Sequence, residues 1–360
     1  MKVVALLLCG SACVAGVAAH AQEAHSHGAA PAASPAAGAL SWQSGPALAK
    51  GRDHHSTVLV EGRDGASLFV AGGTDYAEVF QDVWHLRLRR DGNAASWEPS
   101  AALPAPRAGA GVSAAGNHVV LTGGFHLDPQ RPNARQNTST TFVAAMRPDG
   151  SIREWKPAAA LPGVRYHHAS VAHDRWVYVT GGMGERLAEP TVFAARVGAD
   201  GTLGEWATLT PMPNPRSHHS SFVRDGHLYV VGGIANHAGL PMLHVDVSRA
   251  KIKEDGTLER WQTVSFTPHA YATHSSFVAG DYLYMVGGVE DNVRFTDAMW
   301  RAPFLAEGRM GPWEEVKPGL PAARAHVHNT PVWNGRLYSV GGSASRKVRT
   351  ELDIATLPAR

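Results

Sequence analysis

The chain of 360 residues carries only two cysteines, Cys9 and Cys13. Both lie in a stretch patterned like an export signal, where Lys2 precedes an apolar run from Val3 to Leu8 and small residues lead to Ala19-His20-Ala21. Cleavage after residue 21 leaves a chain with no thiol, no disulfide and no thiolate metal ligand, and places it in the periplasm or outside the cell. A lipid anchor on Cys13 is the alternative, against which stands Gly10 where such sites have leucine. Charge is scarce as well: 18% of residues are charged, and 33 Lys+Arg against 31 Asp+Glu leave a net +2. That balance excludes the basic surface with which proteins neutralise nucleic-acid phosphates. No stretch beyond the signal reaches the ~18 apolar residues of a transmembrane helix. Residues 22–37 (QEAHSHGAAPAASPAA) have almost nothing to bury and read as an Ala/Pro-rich linker, with His25 and His27 as solvated side chains.

Glycine is what the chain has in excess, 38 residues or about 11% against a usual ~7%. Diglycines close β-rich runs at Gly72-Gly73, Gly123-Gly124, Gly181-Gly182, Gly232-Gly233, Gly287-Gly288 and Gly341-Gly342, spaced 51, 58, 51, 55 and 54 residues apart. Trp42, Trp97, Trp155, Trp206, Trp261 and Trp313 keep the same period independently, at 55, 58, 51, 55 and 52. Two markers with one period mean six repeated units. Each unit reads as four short strands, the last two joined by Asp-Gly turns at Asp149-Gly150, Asp200-Gly201 and Asp255-Gly256. Repeated four-stranded sheets of about fifty residues are propeller blades. Trp42 precedes any diglycine, and the chain stops soon after a sixth third strand, Thr350 to Leu357. Residues 38–42 are therefore expected to supply the last blade's outer strand and close a ring spanning residues 38–360.

The combination of R-x-H-H-S at Arg52 and Arg216, LYVVGG at Leu228 and the spaced tryptophans resembles the kelch repeat, in all six units. The resemblance implies an all-β, six-bladed propeller of four-stranded antiparallel blades around a central channel. It implies no single activity, since such propellers include protein-binding modules, a copper galactose oxidase and a sialic acid mutarotase. The copper radical site needs a Tyr-Cys crosslink, for which the exported chain has no thiol. Sialic acid mutarotases are similar in export, six units and size. Glu185 and Arg216 have the chemistry of their catalytic pair, but no family motif surrounds either residue, and the DG-x-L-x-x-W ending at Asp200 and Asp255 looks more like bacterial kelch proteins of undefined role.

Aligned on the diglycine, five units open with an arginine, Arg52, Arg107, Arg165, Arg216 and Arg324, and the fifth unit has Tyr271 instead. Kelch-like proteins often build a ligand mouth from these residues and from those just after the diglycine. By that analogy the mouth carries a ring of guanidinium groups suited to carboxylate or phosphate; the alternative is that the arginines hold blades together. Three residues further on, His55, His168, His219 and His274, with His328 in the matching place of the sixth unit, read as structural imidazoles between blades. One position earlier stand His54, His167 and His218, with His326 nearby. Strand alternation puts this set on the arginine face, looking into the mouth as bases or as added charge. A three-histidine metal site is set aside, because equivalent residues on non-adjacent blades surround a channel rather than meet in it. No metal or other cofactor is expected.

Tyr166 beside His167, and Tyr271 near His274, are candidate acid partners for sugar ring opening or β-elimination. Loops after the diglycines add Tyr76, Glu185, Asn236 and Arg346, and the insertion at residues 125–139 adds Arg131 and Arg135. The sequence reading is thus an exported propeller that binds an anionic small molecule, saccharide or acidic peptide at Arg52, His54, Arg107, Arg165, Arg216, Arg324, Glu185 and Asn236. The alternatives are an enzyme on acidic sugars, mutarotase, epimerase or lyase, with His167 or His218 as base and Tyr166 or Tyr271 as acid, and a protein-interaction scaffold. Oligomeric state is left open.

Overall fold

The computed structural model describes residues 40–91, 94–128, 130–237, 240–326 and 329–358. The export signal, the linker and His328 lie outside them. The described chain forms six four-stranded antiparallel sheets. The first is built from Ser56–Gly62, Gly65–Ala71, Val83–Arg89 and Glu98–Ser100 in simple up-and-down order. Its second strand, GASLFVA, is buried throughout. The apolar and β-branched character of such runs follows from packing each blade between two neighbours. Phe69 and Val83 of the first sheet, for example, share one core with Val119, Leu121 and Phe142 of the second. No helix among the described residues is long and apolar enough to cross a membrane.

In the sixth sheet Ser41–Ser44 pairs antiparallel with Leu352–Thr356, placing Trp42 opposite Ala355. The N-terminal strand is therefore the outer strand of the last blade, as the end arithmetic requires; it extends to Ser44, and residues 38 and 39 of the expected span lie outside the described residues. Trp42 lies within its strand, while Trp97, Trp155, Trp206, Trp261 and Trp313 stand immediately before the fourth strands of their blades. From there the indole Nε1 of Trp97, Trp155, Trp206 and Trp261 donates to the carbonyls of Pro46, Ala101, Ala159 and Thr210 at 2.8, 3.0, 2.8 and 3.1 Å. Each bond reaches back to the preceding blade, which explains why tryptophan recurs with the repeat.

The diglycines do the same work at the inner end. The second glycine's N–H donates to the carbonyl of the next blade's opening residue, Gly73 to Arg107 at 2.7 Å, Gly182 to Arg216 at 2.8 Å, Gly233 to Tyr271 at 2.8 Å, and finally Gly342 back to Arg52 at 2.9 Å. At Gly72, φ is 61° and a Cβ would lie 2.2 Å from the Arg107 oxygen, so only glycine permits this approach.

Candidate functional site

The guanidinium ring expected at the mouth is absent. Arg52, Arg107, Arg165, Arg216 and Arg324 are between 0% and 6% exposed. Arg52 forms a two-pronged pair with Asp82 at 2.6 and 3.0 Å and donates to the Gly72 carbonyl. Arg216 repeats this with Asp246, at 3.0 Å to each carboxylate oxygen, and with the Gly232 carbonyl. Arg324 binds Asp353. In the second and third blades Thr140 and Thr191 replace the acid, accepting from Arg107 and Arg165 at 2.6 and 2.5 Å, while Phe142 and Phe193 lie under the two cations. These side chains tie each opening segment to its own third strand, so none is presented to a ligand. Tyr271, which takes the arginine's place in the fifth blade, is 1% exposed. Its hydroxyl accepts from Trp300 at 2.9 Å and donates to Glu290 at 3.3 Å; burial, then Glu290, raises its ionisation well above the usual tyrosine range. It is a structural substitute for arginine, not an acid positioned for catalysis.

His55, His168, His219 and His274 are all buried. His168 Nε2 takes the Gly111 N–H at 3.1 Å and lies 2.9 Å from Thr122 Oγ1 on the neighbouring blade, and His219 Nε2 meets Thr180 Oγ1 at 2.9 Å. Burial, with Arg165 adding, pushes His168 down to about 3, so it is neutral at ordinary pH.

The other histidines are arranged quite differently from expectation. Residues 54, 109, 167, 218, 273 and 326 precede the first strands, and all six have left-handed backbone, with φ of 48°, 61°, 54°, 53°, 59° and 59°. Strand alternation does not apply to them. Their main chains form a closed ring in which each N–H donates to the previous carbonyl: 109 to 54, 167 to 109, 218 to 167, 273 to 218, 326 to 273 and 54 to 326, at 2.8, 2.8, 2.9, 2.8, 3.1 and 3.2 Å. Left-handed non-glycine residues cost on the order of 1 kcal/mol or more each, which the ring of bonds offsets. The conformation turns the imidazoles away from the arginines and toward one another. His54 stacks on His326 and His167 on His218, both at 4.1 Å between ring centroids, and His54 lies 4.7 Å from His167. Nitrogens of His54, His167 and His218 fall within 4.8 Å of one another. The residues on non-adjacent blades do meet, because the main-chain ring narrows the channel at this level. Gly109 makes room, since a Cβ there would be 2.8 Å from His167 Nδ1.

Asp53, buried at 0% exposure, lies beneath this cluster. It accepts from Ser343 Oγ at 2.8 Å and from the Tyr76 hydroxyl, and its other oxygen is 2.9 Å from His54 Nδ1. Burial opposes its ionisation, but His54, His326 and Tyr76 together outweigh that and hold the carboxyl well below the usual range. Burial, aided by His54, pushes His326 down to about 3.

Short hairpins follow several diglycines. The insertion after Gly124 is one of them, Phe125–Asp128 with Arg131–Asn137, rather than an irregular loop. It carries Arg135, which is exposed, to 4.0 Å over the Phe125 ring and 5.3 Å from that of Tyr166. Both rings touch His167, at 5.7 and 4.9 Å between centroids. Arg346 lies 5.3 Å over Tyr76 in the same manner. Of the residues expected at the site, the structure gathers His54, His167, His218 and Tyr166; Glu185 and Asn236 are exposed on the connections of the third and fourth blades. His326, Tyr76 and Arg135, which the sequence also offered beside the axial set and in the connections, belong to the same assembly, as does Asp53, the residue beside Arg52 at the variable position of R-x-H-H.

A family model described as the KLHDC2/KLHL20/DRC7 Kelch-repeats domain matches residues 40–233. Kelch-like protein 36 of Bos taurus is 23% identical over 269 residues, 74% of this chain and 40% of that protein. Beta-scruin of Limulus polyphemus is 28% identical over 116 residues, 32% of this chain and 12% of that one. An N-acetylneuraminate epimerase of Escherichia coli O157:H7 is 34% identical over 91 residues, 25% of this chain and 24% of that enzyme. The chain thus spans less than half the length of these curated relatives. The solved structure of YjhT superposes with a TM-score of 0.66 at 14% identity, over 85% of this chain and 95% of that one, and shares the fold.

Proposed function

Because the chain belongs to the kelch-repeat family, we propose that it is a binding module whose channel mouth takes a carbohydrate bearing a carboxylate. The observation that carries this is Arg135, an exposed guanidinium 4.0 Å over the Phe125 ring and 5.3 Å from that of Tyr166, beside the axial histidines. An arginine over an aromatic ring keeps its N–H edge for a carboxylate, while Tyr166, only partly buried, suits the apolar face of a sugar ring. The likeness to an enzyme named for N-acetylneuraminate, an acidic sugar, supports the choice of ligand class. The sequence pattern of residues 1–21 supports export, and we place the protein in the periplasm or outside the cell.

Calorimetric titration of the full chain with N-acetylneuraminate, a hexuronate and a neutral hexose tests the reading. Binding of an acid without the neutral sugar is expected, and Arg135→Ala should weaken it roughly tenfold or more, the cost of a charge-assisted hydrogen bond. Equal affinity in Arg135→Ala, or no heat with either acid, overturns it. A second reading, catalysis on such a sugar, is favoured by Tyr166 lying edge-on to His167 at 4.9 Å. Exchange between anomers, followed by NMR with the acid that binds, decides between binder and enzyme.

A further inference from the structure

We propose that the axial histidines form a binding site for one divalent first-row ion with affinity for imidazole, zinc(II) or copper(II), held by His54, His167 and His218 with His326 alongside. The inference stands apart from the sugar-binding reading, since it rests on nitrogen geometry alone. The nitrogens of the three leading histidines already lie within 4.8 Å of one another. Around an ion with bonds of ~2.0 to 2.1 Å they would stand about 3.3 Å apart in a tetrahedron and about 4.1 Å apart across a square plane. Convergence on an ion requires the imidazoles to turn about χ2, a torsion with no sharp minimum, out of the stacked pairs His54/His326 and His167/His218.

The stronger argument is the tautomer. Asp53 as a carboxylate only accepts, so His54 donates to it from Nδ1 at 2.9 Å. Ser217 Oγ donates to the Ile234 carbonyl at 3.1 Å and therefore accepts from His218 Nδ1 at 3.0 Å. Ser343 Oγ donates to Asp53 at 2.8 Å and likewise accepts from His326 Nδ1 at 3.2 Å. Three of the four imidazoles are thus fixed with the proton on Nδ1 and the lone pair on Nε2. Oxygen partners on the far nitrogen, a carboxylate among them, are what orient histidines that bind metal. The main-chain ring that brings the four residues together supplies rigidity that side chains on separate blades would otherwise lack. Gly109, by leaving space for His167, lets the third ligand reach the axis.

The test uses the full chain with Cys9→Ser, Cys13→Ser, His20→Ala, His25→Ala and His27→Ala, which removes the competing thiols and histidines ahead of the propeller. One copper(II) per chain is expected, with hyperfine splitting from at least three nitrogens in the EPR spectrum and displacement by zinc(II). Adding His167→Asn and His218→Asn should abolish that spectrum. Asp53→Asn, a positioning change, should cost roughly 10- to 100-fold in affinity with the nitrogen count retained. His269→Ala, an exposed residue in a separate cluster with Glu290 and Asp291, should change nothing. Absence of stoichiometric binding, or a spectrum with one nitrogen, overturns the proposal. So does unaltered binding in a folded His167→Asn/His218→Asn variant. If that variant does not fold, the nitrogen count of its parent decides alone.

Discussion

Acid should loosen this propeller well before its carboxylates titrate, and the reason lies between the blades. His55, His168 and His274 are pushed down to about 3, and His219 is lowered well below its ordinary value, in each case chiefly by burial. The unfolded chain regains imidazoles titrating near 6.5. Between the two values the unfolded state binds more protons than the folded one, so stability falls as pH drops through ~6.5 and goes on falling toward 3. At pH 5.5 each histidine contributes a loss of about 1.4 kcal/mol, and the set of four between about 5 and 6 kcal/mol. That is a third or more of the ~5 to 15 kcal/mol stabilising an ordinary domain. Asp82 and Asp246, whose carboxyls are held below the usual range by Arg52 and Arg216 against the opposing effect of burial, act in the same direction only at lower pH. Urea unfolding followed by tryptophan fluorescence at pH 7.5, 6.5 and 5.5 measures the effect. The midpoint should fall steeply over the last step at constant m-value, and His168→Gln should reduce the slope by about one proton. A midpoint flat from 7.5 to 5.5 would refute the account of these imidazoles as buried and neutral.

Other outcomes follow from the same structure. Arg216→Ala strands the Asp246 carboxylate, 13% exposed at its side chain, and should cost roughly 3 kcal/mol in urea unfolding; full stability with lost ligand binding would return Arg216 to the mouth. Deleting residues 1–44 removes the strand paired with Leu352–Thr356 and should lower the melting temperature of the whole propeller, measured by calorimetry as a single transition. Gly72→Ala places a methyl 2.2 Å from the Arg107 oxygen at φ 61° and should cost roughly 2 kcal/mol or more, read as a shifted urea midpoint.

The fold was legible because its determinants are local and periodic. A diglycine is required wherever one blade's backbone crosses the next, and a tryptophan wherever an outer strand is tied back, so both recur with the unit. Arginine was legible as a repeated requirement but not as to which requirement. Its partners, Asp82 and Asp246, lie 30 residues downstream of Arg52 and Arg216, beyond connections of unequal length, and in two blades they are threonines. The histidine cluster was hidden for another reason. Reading residues 54, 167 and 218 as part of a strand assigns them the arginine's face, and only their left-handed backbone, which no residue type there announces, directs them to the axis.

The main-chain ring at residues 54, 109, 167, 218, 273 and 326 uses no side-chain atom. Its hydrogen bonds are therefore compatible with different side chains, and this chain mounts four histidines, a glycine and a threonine on six equivalent sockets. Architecture and chemistry are written in separate alphabets there. A repeat protein so built is able to exchange the reactive groups on its axis one blade at a time, while the frame that aims them stays as it is.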